Sequence, residues 1–119
     1  MKKTWGKHLI VDAYGIKEKK LKDGKAIKNL LRSLPKKFKM RPLSNVVVKK
    51  VATDHYPNWG ISGFIVLYES HISLHTWPEE EYVAMDLYSC KDFDDKAIVE
   101  YLKIFWDAKK MKVKIIIRG

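Results

Sequence analysis

Cysteine occurs once in the 119 residues, as Cys90, which excludes an internal disulfide framework and any multi-cysteine zinc site built by one protomer. A single thiol fits a reducing cytoplasm. No apolar run approaches the roughly 20 residues of a membrane span. Lys2 and Lys3 precede a short apolar stretch that His8 and Asp12 interrupt, which a secretory signal would not tolerate. Six glycines and four prolines are too few and too scattered for linkers, repeats or low-complexity segments, so the chain reads as one domain, residues 1–119. Acidic residues are scarce in the first half, where residues 1–50 hold 16 Lys and Arg against Asp12, Glu18 and Asp23.

A hydrophobic content of 46% excludes a disordered basic tail, because a chain of this length can bury about two thirds of its unfolded surface. The formal net charge of +10 points first to a polyanionic partner, and a basic module that contacts nucleic-acid phosphates is one reading. No recognisable nucleic-acid motif accompanies that charge, so nucleic acid is not the partner expected from the sequence.

Leu9, Val11 and Ala13 alternate with His8, Asp12 and Tyr14, the period of a half-buried strand, and Gly15 ends it. Lys17 to Lys22 reads as a solvated loop. Asp23 caps a helix with Ile27, Leu30, Leu31 and Leu34 on one stripe, and Pro35 lies just past its end. The strand-like run Val46 to Val51 and the β-rich run Ile61 to Tyr68 form a long-looped hairpin around the turn-prone segment Asp54 to Gly60. His71 to Trp77 and Tyr82 to Ser89 alternate again. Asp92 caps a second helix carrying Ile98, Tyr101, Leu102 and Phe105, with Lys109 and Lys110 at its end, and Lys112 to Arg118 closes the chain as a strand. The order β-α-β-β-β-α-β predicts an α+β fold, a largely antiparallel sheet with helices on one face. His8, Asp12, His71, His75 and Asp86 then fall on the uncovered face, which a second copy would cover.

The chemically dense segment is Tyr56 to Cys90. A Ser/His/Asp hydrolase lacks its Gly-x-Ser-x-Gly elbow here. His71 and His75 are spaced for chelation on a helix but stand about 13 Å apart on a strand, which argues against a metal. On residue type alone, Ser70 is an ordinary strand serine and Cys90 a buried, inert thiol.

The run Glu69-Ser70-His71-Ile72-Ser73-Leu74-His75-Thr76-Trp77-Pro78-Glu79 resembles the self-processing segment of the prokaryotic pyruvoyl-dependent S-adenosylmethionine decarboxylases. Gly6-Lys7-His8-Leu9-Ile10-Val11, Gly60-Ile61-Ser62-Gly63 and Asp86-Leu87-Tyr88-Ser89-Cys90 resemble that family's opening strand, its strand before the cleavage site and its late cysteine strand, in collinear order.

The resemblance implies that Ser70 Oγ attacks the Glu69 carbonyl in an N→O acyl shift, turning the peptide bond into an ester. Loss of the Ser70 α-proton then releases residues 1–69 and leaves dehydroalanine, which hydrolyses to ammonia and a pyruvoyl group at the head of residues 70–119. By the same resemblance His75 is the base of that step and Ser62 hydrogen-bonds the intermediate of the acyl shift. The pyruvoyl cofactor would form a Schiff base with the substrate amine and accept electrons as carbon dioxide leaves, and Cys90, as a neutral thiol, would reprotonate the product. Tyr56, where phenylalanine is usual, and Trp77 would wall the adenine, and Glu79 would accept hydrogen bonds from the ribose. The implied reaction makes the aminopropyl donor of spermidine-type polyamines. Relatives that decarboxylate arginine or ornithine with the same machinery are the alternative, and Tyr56 and Asp12, which stands where glutamate is common, bear on that choice. The implied assembly is a homodimer of processed protomers that pairs two sheets into an αββα sandwich, with no metal. His71 is either catalytic or part of a polar network, and His8 is structural.

Overall fold

The computed structural model describes residues 5–55 and 57–119. Strand β1 (Gly6–Tyr14) pairs antiparallel with both β5 (Tyr82–Ser89) and β6 (Lys110–Arg118). β2 (Val47–Val51), β3 (Gly60–Val66) and β4 (Ser70–Trp77) complete a six-stranded antiparallel sheet in the order β2-β3-β4-β5-β1-β6. The α+β fold expected from the sequence is present. The order written from the sequence is one strand short: all four runs named between the two helices are strands, with Val47–Val51 pairing along β3 as the edge strand.

Helices α1 (Glu18–Leu21), α2 (Gly24–Lys37) and α3 (Asp95–Trp106) carry the other half of the core. The lysine run 17–22 is not all loop. It folds into α1 because Ile16 and Leu21 are apolar anchors at its two ends, and both are fully buried. Asp23 caps α2 as expected, accepting from the Ala26 amide at 3.0 Å, an interaction of about 1 kcal/mol. Pro35 lies inside the last turn of α2 rather than beyond it. The cap of α3 is Asp94, which accepts from the Ala97 amide at 3.1 Å, and not Asp92, whose carboxylate turns to Lys7 at 3.0 Å. That helix stops at Trp106, and Lys109 and Lys110 lead into β6.

The helices cover the face formed by Leu9, Val11, Ile61, Ile65, Ile72, Leu74, Val83 and Leu87. Each such aliphatic side chain contributes about 1.5–3 kcal/mol by leaving water. Trp106 is fully buried and donates its indole N–H to Met85 Sδ at 3.4 Å. Gly63 lets α2 approach the sheet, since a Cβ there would stand 2.7 Å from Leu31 Cδ1. Thr76 ties α1 to the sheet end: its hydroxyl donates to the Leu21 carbonyl at 2.8 Å and accepts from the Ile61 amide at 2.9 Å. Among the described residues no helix is long and apolar enough to cross a membrane.

The other face carries His8, Asp12, His71, His75 and Asp86, as the alternation predicts. Apolar side chains lie among them. Val47, Val51, Phe64 and Ile116 are all exposed on this side.

Candidate active site

A tight turn joins β3 to β4, closed by the Leu67 amide donating to the Ser70 carbonyl at 2.7 Å. Ser70 is the first residue of β4, half-buried, and sits opposite Ser89. The Glu69 carbonyl, the group that an attacking Ser70 hydroxyl would need, accepts a hydrogen bond from the Cys90 amide at 3.2 Å. A fixed N–H on that oxygen stabilises negative charge developing there. Cys90 is exposed, not buried, and lines a cleft of about 320 Å³ with Gly6, Lys7, Ser89 and Asp92.

Arg41 holds the turn from outside. Its backbone N–H donates to Glu69 Oε1 at 3.3 Å, its side chain donates to Oε2 at 3.2 and 3.3 Å, and its guanidinium lies 4.7 Å from the centre of the Tyr68 ring. Burial alone would raise the Glu69 carboxyl, but these bonds and the Arg41 charge outweigh it and hold it below its ordinary value. Glu69 is thus an anion that fixes the backbone of the turn. Nothing in the spacing of Arg41 marks it in the sequence, because 28 residues separate it from its partner.

Ser62 and His75 are cross-strand partners on β3 and β4, with Ser62 Oγ 2.8 Å from His75 Nδ1. When His75 donates its Nδ1–H to that hydroxyl, Nε2 carries the lone pair, the state a base requires. The pair opens into a cleft of about 200 Å³ together with Val51, Thr53, Gly60 and Trp77. Trp77 stacks on Tyr82 at 5.2 Å, and Asn58 hydrogen-bonds the Glu79 carboxylate. The Trp59 ring, beside this cleft, has the Lys50 ammonium 4.5 Å and the Lys22 ammonium 5.2 Å from its centre. Tyr56 lies outside the described residues.

Between these two ends lies a polar network. Arg118 Nη1 approaches His8 Nδ1 at 3.4 Å, and since arginine can only donate, His8 presents its Nε2–H to Asp86 Oδ2 at 2.6 Å. Asp86 also receives Ser73 Oγ and His71 Nε2, the latter at 3.3 Å. His71 therefore belongs to this network, with Phe64 stacked on its ring, and so does His8. The two imidazoles and the carboxylate have metal-ligand types. Ligands on one tetrahedral ion stand about 3.3 Å apart, so the 2.6 Å contact is a hydrogen bond and not a chelate edge.

Burial would raise Asp86, yet the bonds from Ser73, His8 and His71 outweigh it and hold its carboxyl below the usual value. A carboxyl depressed in the fold contributes stability that is present above its unfolded value and lost as pH falls through the folded one. Asp86→Asn is therefore expected to lower the thermal midpoint by about 5 °C at neutral pH, with the difference from the parent shrinking below about pH 4 in thermal unfolding followed by circular dichroism.

The structure separates the residues singled out from the sequence into two groups. Glu69, Ser70 and Cys90 meet at one end of β4, and Ser62, His75, Trp77 and Glu79 gather at the other. Ser70 and His75 stand five residue steps apart along the strand, roughly 16 Å. Arg41 and Asn58, which contact Glu69 and Glu79, are residues that the sequence reading did not single out.

Comparison with known proteins bears on what this arrangement is for. A family model described as S-adenosylmethionine decarboxylase matches residues 7–119. The chain is 37% identical over 115 residues to the S-adenosylmethionine decarboxylase proenzyme of Clostridium botulinum, covering 96% of this chain and 94% of that protein. It is 36% identical over 121 residues to the proenzyme of the same name from Persephonella marina, covering 100% and 86%. Among solved structures it resembles the adenosylmethionine decarboxylase from Aquifex aeolicus, with a TM-score of 0.77, 29% identity and coverage of 99% and 93%.

Proposed function

The chain belongs to the S-adenosylmethionine decarboxylase family, and from that premise we propose how it works: a self-processing proenzyme that removes the carboxyl group of S-adenosylmethionine. The reaction yields the aminopropyl donor of polyamine synthesis, and its pyruvoyl group is made from the chain itself. The observation that carries the assignment of the processing bond is the turn at Glu69-Ser70. There the Glu69 carbonyl is held at 3.2 Å by the Cys90 amide, directly before a residue that bears a hydroxyl.

Cleavage divides the protein into residues 1–69 and 70–119. Ser70 Oγ adds to the Glu69 carbonyl carbon, the Cys90 N–H stabilises the oxyanion, and collapse breaks the C–N bond to give an ester. A base then removes the Ser70 α-proton, and the Glu69 carboxylate leaves. The pyruvoyl carbonyl that results supplies an electron sink for decarboxylation of an amino acid. Its fit here rests on the donor at Glu69 O and on the cleft beside Cys90, whose thiol is the donor that reprotonates the product carbon.

The base of the processing step is His75 and its helper is Ser62, but of a second copy. Their roughly 16 Å distance from Ser70 within one chain is too great for proton transfer, and a substrate held by Trp77 and Glu79 at the same end would likewise miss the pyruvoyl group. Two sheets packed through their uncovered faces in opposite directions would bring the His75 end of one protomer to the Ser70 end of the other. This pairing, the αββα sandwich, also removes Val47, Val51, Phe64 and Ile116 from water. Tyr56 joins Trp77 and Glu79 in the binding half of the site.

The reading is tested by incubating the processed protein with S-adenosylmethionine, arginine and ornithine in parallel and collecting carbon dioxide. Release from S-adenosylmethionine is expected, and release from arginine or ornithine alone would overturn the assignment. Cys90→Ala is expected to cleave normally and to turn over about 10²–10⁴-fold more slowly, the usual contribution of a placed acid.

A further inference from the structure

Decarboxylation uses the open face of the sheet and leaves a strongly charged feature on the helical side without a role. Residues 24–53 contain nine Lys and Arg and no Asp or Glu. Helix α2 turns Ile27, Leu30, Leu31 and Leu34 into the core, and Lys28, Arg32 and Lys36, four residues apart in turn, are exposed. These three cations line one groove, of about 470 Å³, whose other wall is Pro42, Ser44 and Asn45. Lys25 extends the row, and with Lys28 it lines an adjoining groove against Val46 to Lys49.

Among the described residues, the ion pairs involve Lys7, His8, Lys22, Arg41 and His71, and none of the four cations in this row. Like charges four apart on a helix repel one another. The fold therefore carries a row of mutually repelling charges that nothing within the described chain neutralises. Salt-bridged lysines elsewhere on the same surface, such as Lys22 with Glu18 at 3.4 Å, show the arrangement this row lacks.

We infer that the α2 groove binds the phosphodiester backbone of a single nucleic-acid strand. Four residues of helix rise about 6 Å, comparable with the separation of neighbouring phosphates along one strand, so Lys28, Arg32 and Lys36 can each meet one phosphate in succession. A strand presents that charge spacing whatever its sequence, whereas an acidic peptide does so only where carboxylates alternate. A groove walled by Pro42 to Asn45 receives a narrow chain better than a flat lipid surface. No aromatic side chain lines either groove, so bases have no stacking platform and the contact is to backbone alone.

The test is fluorescence anisotropy of a labelled 12-nucleotide single-stranded RNA, and a DNA of equivalent sequence, with the processed protein. Neutralising three phosphates predicts an affinity that falls roughly 20-fold between 50 and 200 mM salt. The triple variant Lys28→Glu, Arg32→Glu, Lys36→Glu is expected to lose at least tenfold in affinity at 50 mM salt, while self-cleavage and decarboxylation stay at the parent level. Should that variant fail to fold, the Lys28→Gln, Arg32→Gln, Lys36→Gln chain is expected to flatten the salt dependence. Unchanged affinity in a folded triple variant would overturn the proposal. So would equal or tighter binding, through the same residues, to polyglutamate or to phosphatidylserine vesicles.

Discussion

Ser70→Ala is expected to leave one uncleaved chain of 119 residues and no carbon dioxide from S-adenosylmethionine. The parent protein should instead separate under denaturing conditions into two fragments divided between Glu69 and Ser70, read by intact mass. The effect is complete because two functions rest on one atom. Without Oγ there is no nucleophile for the acyl shift, and without the shift no pyruvoyl group forms. The substitution removes one oxygen from a half-buried position whose neighbours Leu67 and Ser89 bond through backbone or lie across the strand pair, so the fold should persist. A parent chain that stays whole after prolonged incubation, or a Ser70→Ala chain that still divides at that bond, would refute the processing mechanism.

The second large effect is a rescue. His75→Ala alone is expected to remain uncleaved, and so is Ser70→Ala alone, yet co-expressing the two should cleave the His75→Ala chain and only that chain. In a mixed dimer the intact Ser70 of one protomer meets the intact His75 of the other, while the reciprocal site lacks both. With random pairing at equal expression, about half of the His75→Ala chains would enter such dimers and become cleavable. A site built within one chain predicts no rescue at all. The experiment needs only mass spectrometry of differently tagged chains, and absence of any cleaved His75→Ala chain in purified mixed dimers would rule out the shared site.

The periodicities carried much of the fold. Alternation in 8–14, 71–77 and 82–89 assigned the correct side chains to the buried face, because a strand with one covered face has no other stable register. The helix stripe of Ile27, Leu30, Leu31 and Leu34 was equally direct. Errors fell at boundaries, where competing local signals are close in energy. Asp92 and Asp94 both suit a cap, and only the pull of Lys7 on Asp92 decides between them. The run 17–22 is polar throughout except for Leu21, too little periodicity to announce a helix that docking holds.

At the site, residue types and their collinear order were legible from the chain: Glu69 and Ser70 at a turn, Ser62 and His75 on neighbouring strands, Cys90 at a strand end. Arg41 as the clamp of Glu69, and Asp86 as the hub for His8, His71 and Ser73, were not, since each contact joins segments distant in sequence. By itself the sequence determined which face of each strand is apolar and which chemistry the chain carries, because both depend on residue identity and local spacing. Only the tertiary structure decided that Ser70 and His75 lie at opposite ends of one strand. Distance along β4 is a property of an extended, paired backbone that holds its ends rigidly apart, and it is this separation that leads the proposed function to a second copy.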